Sequence, residues 1–246
     1  MGVTVAVVSG KGGTGKTSVC AGVSIALAQG GARVLCIDCD VGLRNLDISL
    51  GLSDLGSLSF LDISEGGYGF DRIPKHPDFP SLAFLTAPMN RPVEKIDITA
   101  FTQMIRKARE EFDYIFLDAP AGVDAGFRLV SAAADRFLVV TGAGPAAVRD
   151  ASRVGELLEL TGKTDVRMIV NRVNKSMMSL LRLTIDDVMD RSGLPLIGII
   201  LEDDDVPLAA ACGMPLIRFN KRSTAVTAYK KIAKRIQGLP EPIKIR

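Results

Sequence analysis

The chain has 246 residues, 47% of them apolar, and its 30 Lys and Arg against 28 Asp and Glu give a net charge of only +2. This length and composition are typical of one large α/β domain or two small ones, and they argue against a disordered chain. The longest uncharged run, between Lys16 and Arg33, is too short and too polar for the ~20 apolar residues that a transmembrane helix needs. We therefore expect a soluble, cytoplasmic protein, and no secretory signal precedes the first predicted strand.

The first strand and the loop after it carry the strongest motif in the chain. Val3–Val8 is an apolar, β-branched run that predicts a buried strand, and the Ala-rich residues 17–29 predict a helix. Between them, Gly10–Thr17 fits the pattern G-x-x-x-x-G-K-[ST], whose backbone N–H groups bind phosphate at a helix N-terminus. We predict that Lys16 contacts the β- and γ-phosphates and that the Thr17 hydroxyl binds Mg²⁺.

Lys11 follows the first glycine of this loop, where the general pattern demands no lysine. Beside Lys16, its side chain cannot easily turn into its own loop. We predict that Lys11 serves the phosphates of a facing subunit; a solvated loop lysine is the alternative.

Three segments together resemble a known family. Residues 11–17, 38–47 and 118–122 are similar to the motifs of the MinD/ParA family of deviant Walker A P-loop ATPases. Within that family the last two segments look like those of the MinD branch, which determines the septum site in bacterial division. The resemblance runs from residue 1 to about residue 238 and implies ATP and Mg²⁺ as ligands and a homodimer that forms on ATP binding.

The resemblance also implies nucleotide-binding positions along the whole chain. They fall on Gly10, Lys11, Gly12, Gly13, Thr14, Gly15, Lys16, Thr17, Ser18, Asn45, Pro120, Asn171, Arg172 and Asp203. Asp203 is the least specific of them, because relatives often have Pro where Leu201 stands. Relatives also usually have Asn-Pro-Glu at 142–144, so no role is carried over to those residues.

The second strand, predicted at 33–38, ends in acidic residues, where parallel sheets place ligand groups. Asp38 and Asp40 therefore fall near the phosphate loop, one able to orient water and the other to approach Mg²⁺. By resemblance Asp40 activates the water and joins Lys11 and Lys16 as a catalytic residue, whereas Asp38 supports the metal. A turn-capping Asp is the alternative. Residues 41–50 would then be a switch segment that senses the γ-phosphate.

The middle of the chain is less diagnostic. We predict a short helix at 57–63, a turn-rich surface loop at 74–80 and a third strand at 82–86. His76, the one histidine, lies in that loop and is predicted to be solvated. Cys20, Cys36 and Cys212 are predicted to be small core residues. The C-x-x-C spacing of Cys36 and Cys39 along a strand places the two side chains on opposite faces, which disfavours a metal or redox pair.

Alternating helices and strands follow. A helix is predicted at 98–112, strands at 114–118, 136–141, 166–173 and 195–201, and a helix that opens at 143–150. Asp118 ends its strand and would hold Mg²⁺ through a water, as a Walker B carboxylate does. In the family the residue at Asn171 contacts the base; a turn-capping Asn is the alternative. Arg149 and Asp150 match the family and are expected at the dimer face.

The alternation predicts a doubly wound, mainly parallel α/β sheet with helices on both faces, formed by residues 1–238 as a single P-loop ATPase domain, with 239–246 as a short tail. Residues 221–246 carry a net charge of +7 and include an amphipathic helix with a basic face. We expect its apolar side to pack on the sheet rather than to lie on anionic lipid. Two prolines follow it, so the C-terminal anchor helix usual in MinD proteins is expected to be absent or altered.

The resemblance favours an ATP-hydrolysing switch in septum-site placement. Its partners would be division-inhibitor and activator proteins of the MinC/MinE kind, with peripheral contact to an anionic membrane surface on the inner face of the cell membrane. The alternatives are a ParA-type DNA-partitioning ATPase, although DNA is the less favoured partner, a regulator of flagellar number or placement, and a nucleotide-gated scaffold that does not hydrolyse ATP.

Overall fold

Seven parallel strands form one sheet in the computed structural model, which describes residues 1–53, 58–89 and 91–243. The order across the sheet is β3-β2-β4-β1-β5-β6-β7. The strands are β1 (Val3–Val8), β2 (Val34–Asp38), β3 (Leu82–Leu85), β4 (Tyr114–Asp118), β5 (Arg136–Thr141), β6 (Val166–Val173) and β7 (Leu196–Leu201). β1 lies in the centre between β4 and β5, so the loop after β1 opens at the middle of the sheet's carboxyl edge.

Helices connect these strands and cover the sheet. They are α1 (Lys16–Gln29), α2 (Leu46–Leu50), α3 (Phe60–Ser64), α4 (Ile98–Glu111), α5 (Ala125–Ala133), α6 (Pro145–Leu160), α7 (Lys175–Leu180), α8 (Ile185–Ser192), α9 (Asp205–Ala211), α10 (Leu216–Phe219) and α11 (Thr224–Ile236). Short 3₁₀ turns occur at Phe70–Arg72 and Val93–Lys95. The predicted start of the helix at 57–63 lies outside the described residues, and the helix observed there is α3.

The sheet is buried on both sides, which confirms the predicted doubly wound α/β fold. Along β1, Val5 and Val7 point into one apolar layer, which contains residues of α1 and α11. Ala6 and Val8 point into the opposite layer, which contains residues of α4, α5 and α6. A strand covered on both faces is mostly apolar, and β1 is apolar at every position except Thr4.

The basic C-terminal helix α11 packs on the sheet, as expected. Its buried residues are Ala225, Val226, Tyr229, Ile232, Ala233 and Ile236, whereas Lys230 and Lys234 are exposed. The Tyr229 ring fills the space where Gly22 of α1 has no Cβ, and Ile232 does the same at Gly198 of β7. The apolar face of α11 is therefore used inside the protein.

Two sequence expectations are wrong. His76 is buried, with only 3% of its surface exposed, because its two ring nitrogens bind backbone groups within the protein. Cys212 is exposed at the end of α9 rather than in the core. Cys36 and Cys39 enter the two opposite apolar layers, as their spacing predicts.

In the described parts of the chain, no helix combines the length and apolar character that crossing a bilayer requires.

Candidate functional site

The phosphate loop joins β1 to α1 in a conformation that depends on glycine. Gly13 and Gly15 have φ angles of 76° and 86°, a region that other residues rarely adopt. A Cβ at Gly10 would lie 2.6 Å from the Cβ of Asp150, so the loop also needs glycine there for close packing against α6. Gly15 at the N-cap of α1 provides no side-chain acceptor, so no cap bond occupies the first amides of this 14-residue helix. The arrangement suits the binding of phosphate oxygens.

Two carboxylates meet behind this loop, as the sequence predicts. Asp38 ends β2 and pairs in register with Asp118, which ends the neighbouring β4. Their side chains are 0% and 2% exposed. Lys16, the first residue of α1, is buried as well, and its charge, together with the nearby Thr17 hydroxyl, favours the ionised form of Asp118. Lys16, Asp38 and Asp118 thus form one buried cluster, with the half-buried Thr17 beside it.

Burial raises the pKa values of both carboxyls. The pKa of Asp118 rises to about 7, although Lys16 opposes the shift. The pKa of Asp38 rises to about 6, although the amides of Leu46 and Asp40 donate to its carboxylate at 3.1 and 2.9 Å. Such shifts mean that positive charge and hydrogen bonds only partly offset the burial of these carboxylates, and a bound cation would reduce the penalty.

The cluster fits Mg²⁺. Asp118 Oδ1 is buried and has no hydrogen-bond partner among the described residues, and the same holds for Thr14 Oγ1 in the phosphate loop. Within residues 1–53, 58–89 and 91–243, no group of three or more His, Cys, Asp or Glu could hold a metal ion. Mg²⁺ is commonly held by one or two protein groups together with substrate phosphates and waters, and Thr17 with Asp118 provides such a partial set.

Asp40 lies at the mouth of the site with one oxygen already occupied. Its Oδ1 accepts hydrogen bonds from the amides of Gly42 and Leu43, both at 3.2 Å, and so caps the turn after β2. Arg44 in this turn has a φ of 48° and donates from Nε to Thr86 Oγ1 at 2.8 Å. The water-activating role of Asp40 stays a prediction, and the capped turn shows how its side chain is oriented in this conformation.

Lys11 lies at the surface of the loop. It forms an ion pair with Asp150 of α6 at 3.8 Å, and 49% of its side chain is exposed. Both residues are therefore accessible on the face where we expect a second subunit. An exposed pair at this distance contributes little to stability, so it can be broken at small cost.

The predicted base-contacting residues surround the other side of the loop. Asn171 is 5% exposed and donates from Nδ2 to the Thr14 carbonyl at 2.8 Å. Arg172, with a φ of 54°, donates to the Gly13 carbonyl at 3.4 Å and pairs with Glu202 at 3.8 Å. These contacts fix the end of β6 against the phosphate loop.

Asp203 is predicted to contact the base, and in the structure it has a structural role. Its Oδ2 accepts from the hydroxyls of Ser223 and Thr224, each at 2.8 Å, and from the Ala225 amide at 3.1 Å. Its Oδ1 accepts from the Asp205 amide at 3.1 Å. The carboxylate therefore holds the N-terminus of α11, and its contact with the base stays a prediction.

The remaining predicted residues occupy the rim. Asn45 is exposed before α2, Pro120 contacts Gly126 of α5, and Ser18 lies in the first turn of α1. Sequence reasoning missed Ser9, whose buried hydroxyl donates to the Lys11 carbonyl at 2.8 Å and whose own carbonyl accepts from the Gly122 amide at 3.1 Å. Its position directly before Gly10 is the one sequence signal that could have identified it.

The chain is similar to known nucleotide-binding proteins. The sequence matches the CobQ/CobB/MinD/ParA nucleotide binding domain over residues 5–216. The septum site-determining protein MinD of Synechocystis sp. is 37% identical over 240 residues, which cover 97% of this chain and 90% of that protein.

The chain is also similar to solved structures of MinD proteins. A chain of the MinC:MinD cell division protein complex from Aquifex aeolicus has a TM-score of 0.90 at 34% identity, with 98% of each chain covered. The septum site-determining protein MinD from Pyrococcus horikoshii, complexed with Mg-ADP, has a TM-score of 0.84 at 27% identity, with 96% of each chain covered. Every candidate site residue lies within the span that the domain match covers.

Proposed function

Because the chain belongs to the CobQ/CobB/MinD/ParA family and to its septum site-determining MinD members, we propose that it is an ATP-dependent dimerising switch in septum-site placement. It is a P-loop ATPase that uses Mg²⁺ and converts ATP to ADP and phosphate. The product of its cycle is a change of state and location rather than a metabolite.

The cluster of Lys16, Thr17 and Asp118 at the start of α1 is the observation that carries the enzymatic part of this proposal. The loop amides and Lys16 bind the phosphates, whereas Thr17 and Asp118 hold the metal. Mg²⁺ supplies positive charge that neutralises the phosphate oxygens during transfer. Asp118 Oδ1, which has no hydrogen-bond partner in the described part of the chain, is the atom that this charge would satisfy.

The dimer rests on Lys11. Among the described residues its half-exposed side chain pairs with Asp150 alone, at 3.8 Å, so it is free to leave when a facing subunit presents phosphates. A cation that enters a partner's site stabilises the charge that develops on the transferring phosphoryl group. ATP then favours the dimer and hydrolysis reopens it.

The partners follow from the family. The similar chain from Aquifex aeolicus was solved as a MinC:MinD cell division protein complex, which supports a MinC-type division inhibitor as a partner of this protein. A MinE-type activator and an anionic membrane surface complete the proposal. Since the apolar face of α11 is buried, contact of α11 with lipid would be electrostatic, through lysines such as Lys230.

Phosphate release from Mg-ATP tests the proposal. We expect hydrolysis by the native chain and a loss of about 100-fold or more in Lys16→Ala, because this lysine supplies charge to the phosphates. Asp40→Ala should bind ATP but not hydrolyse it. Lys107→Ala changes an exposed lysine on α4 and serves as the matched control.

The outcome also separates the alternatives. ATP binding without hydrolysis in the native chain would favour a nucleotide-gated scaffold. Salt-sensitive, ATP-dependent binding to duplex DNA by Asp40→Ala, with no binding to anionic vesicles, would favour a partitioning role.

A further inference from the structure

The short helix α2 lies in the predicted switch segment, and hydrogen bonds hold it at both ends. At its N-terminal end the Leu46 amide donates to Asp38 Oδ2 at 3.1 Å. At its C-terminal end the Leu50 carbonyl lies 2.7 Å from His76 Nε2. The helix therefore connects a candidate metal-site carboxylate with a histidine that lies 26 residues further along the chain than Leu50.

The contacts of His76 fix its tautomer. The Asp78 amide donates to Nδ1 at 3.1 Å, so Nδ1 carries no hydrogen and Nε2–H is the donor to the Leu50 carbonyl. The ring is 3% exposed and packs on Phe79, with 4.7 Å between ring centroids. Burial lowers the pKa of His76 below its ordinary value. The imidazole is thus a neutral and oriented donor at neutral pH.

The backbone around His76 is attached to the sheet. The His76 amide donates to the Leu82 carbonyl at 2.7 Å, and the Phe84 amide donates to the Pro74 carbonyl at 3.1 Å. These two backbone hydrogen bonds attach the loop to β3. His76 therefore links the end of α2 to β3.

A helix as short as α2 depends on such contacts. Its five residues are far below the ~12 that an isolated helix needs to be even marginally stable in water. After it, Gly51 has a φ of 71° and packs so closely on Pro215 that a Cβ would lie 2.6 Å from the proline ring. The chain therefore leaves α2 in a fixed direction beside the His76 contact.

We infer that His76 is a positioning residue for hydrolysis, because its bond to the Leu50 carbonyl holds α2 where the Leu46 amide meets Asp38. Its effect on hydrolysis rests on the proposed function, whereas its effect on α2 does not. Loss of the bond between His76 and the Leu50 carbonyl would let α2 shift, and the Leu46 amide would then hold the Asp38 carboxylate less firmly.

Two substitutions that introduce a side-chain amide test the hydrogen bonds of the two ring nitrogens one at a time. In His76→Gln the side-chain nitrogen reaches the place of Nε2 and keeps the bond to the Leu50 carbonyl. In His76→Asn the side-chain oxygen keeps the place of Nδ1 but the bond to Leu50 is lost. Both variants replace the ring by a neutral polar amide of similar character, so each is the control for the other.

Two measurements are made on each variant: hydrogen exchange at the Leu46 amide in nucleotide-free protein, and steady-state ATP hydrolysis. We expect His76→Asn to speed exchange at Leu46 and to lower kcat, each by about tenfold, the size expected for one buried hydrogen bond. KM should change less than twofold, because the phosphate loop is untouched. His76→Gln should restore both values to near those of the native chain.

Other outcomes overturn the inference. It is wrong if the two variants behave alike, or if His76→Asn lowers only the melting temperature while Leu46 exchange and kcat stay native. If the native chain does not hydrolyse ATP, the proposed function fails, but the exchange at Leu46 still decides whether His76 holds α2.

Discussion

At the scale of single residues, the buried Asp118 carboxylate is unfavourable in the free protein but suited to binding a cation. The carboxylate is 2% exposed, one of its oxygens has no partner among the described residues, and burial raises its pKa to about 7. These are unfavourable conditions for an anion. A divalent cation at the phosphate loop would turn the same conditions into tight binding, because little water remains to compete.

The first prediction concerns this carboxylate. Mg²⁺ should increase the affinity of the native chain for ATP, and Asp118→Asn should abolish most of this increase. We expect a loss of about 10–100-fold, the typical size for a water-mediated metal contact. Titration calorimetry with and without Mg²⁺ measures it. Asp124→Asn, which changes an exposed carboxylate in the same loop, should retain the full Mg²⁺ effect. An unchanged Mg²⁺ effect in Asp118→Asn would exclude Asp118 from the metal site.

Asp203 illustrates a residue with a structural role independent of any ligand. Burial alone would raise the pKa of this carboxyl, but hydrogen bonds from Ala225, Thr224, Ser223 and Asp205 together lower it. A lowered pKa means that the ionised form is favoured in the folded protein. Its stabilising contribution is therefore present above the unfolded pKa of about 4 and is lost as the pH falls through the folded value.

The second prediction follows from that sign. Asp203→Ala should lower the free energy of unfolding of the nucleotide-free protein by about 1–2 kcal/mol at pH 7, because several donors at the start of α11 lose their acceptor. The difference from the native chain should stay constant from pH 8 to pH 5 and shrink below about pH 4. Urea unfolding at several pH values measures it. If the substitution leaves unfolding unchanged but weakens ATP binding, the base contact implied by the resemblance is the main role of Asp203.

At the scale of elements, α11 shows that an amphipathic, basic sequence need not contact a membrane. The apolar side of the helix packs against α1 and β7, and its Ile232 is fully buried where Gly198 of β7 has no side chain. The amphipathic pattern alone is compatible with lipid or with a sheet as the apolar partner. The packing of Ile232 over a glycine selects the sheet.

A double-substitution cycle tests this packing. Gly198→Ala should destabilise the protein by about 1–3 kcal/mol, because its Cβ would overlap Ile232. Ile232→Ala should cost about 2–5 kcal/mol through the lost buried side chain. In the double variant part of the cost of Gly198→Ala should disappear, since the space is open, giving a coupling of about 0.5–3 kcal/mol. Additive effects in urea unfolding would mean that α11 does not pack on β7 as described.

At the scale of the whole molecule, the sequence predicted those features that are local along the chain. Gly10–Thr17 and the strands ending in Asp38 and Asp118 follow short-range rules, and parallel strands bring their ends together. The buried state of His76 could not be predicted, because its partner, the Leu50 carbonyl, becomes a neighbour only when the loop folds over β3. The same is true of the contact between Gly10 and Asp150, which lie 140 residues apart.

We propose that ATP closes two copies of this chain over their nucleotides through Lys11. The most direct measurement is the molar mass of Asp40→Ala in solution, by light scattering on a sizing column, with ATP and with ADP. We predict twice the chain mass of 26.2 kDa with ATP and the single mass with ADP.

Adding Lys11→Ala to Asp40→Ala should give the single mass with either nucleotide. ATP affinity should stay within a few-fold of that of Asp40→Ala, because Lys11 is proposed to contact the nucleotide bound by the facing subunit. A single mass for Asp40→Ala with saturating ATP, or a dimer that persists without Lys11, would contradict the switch.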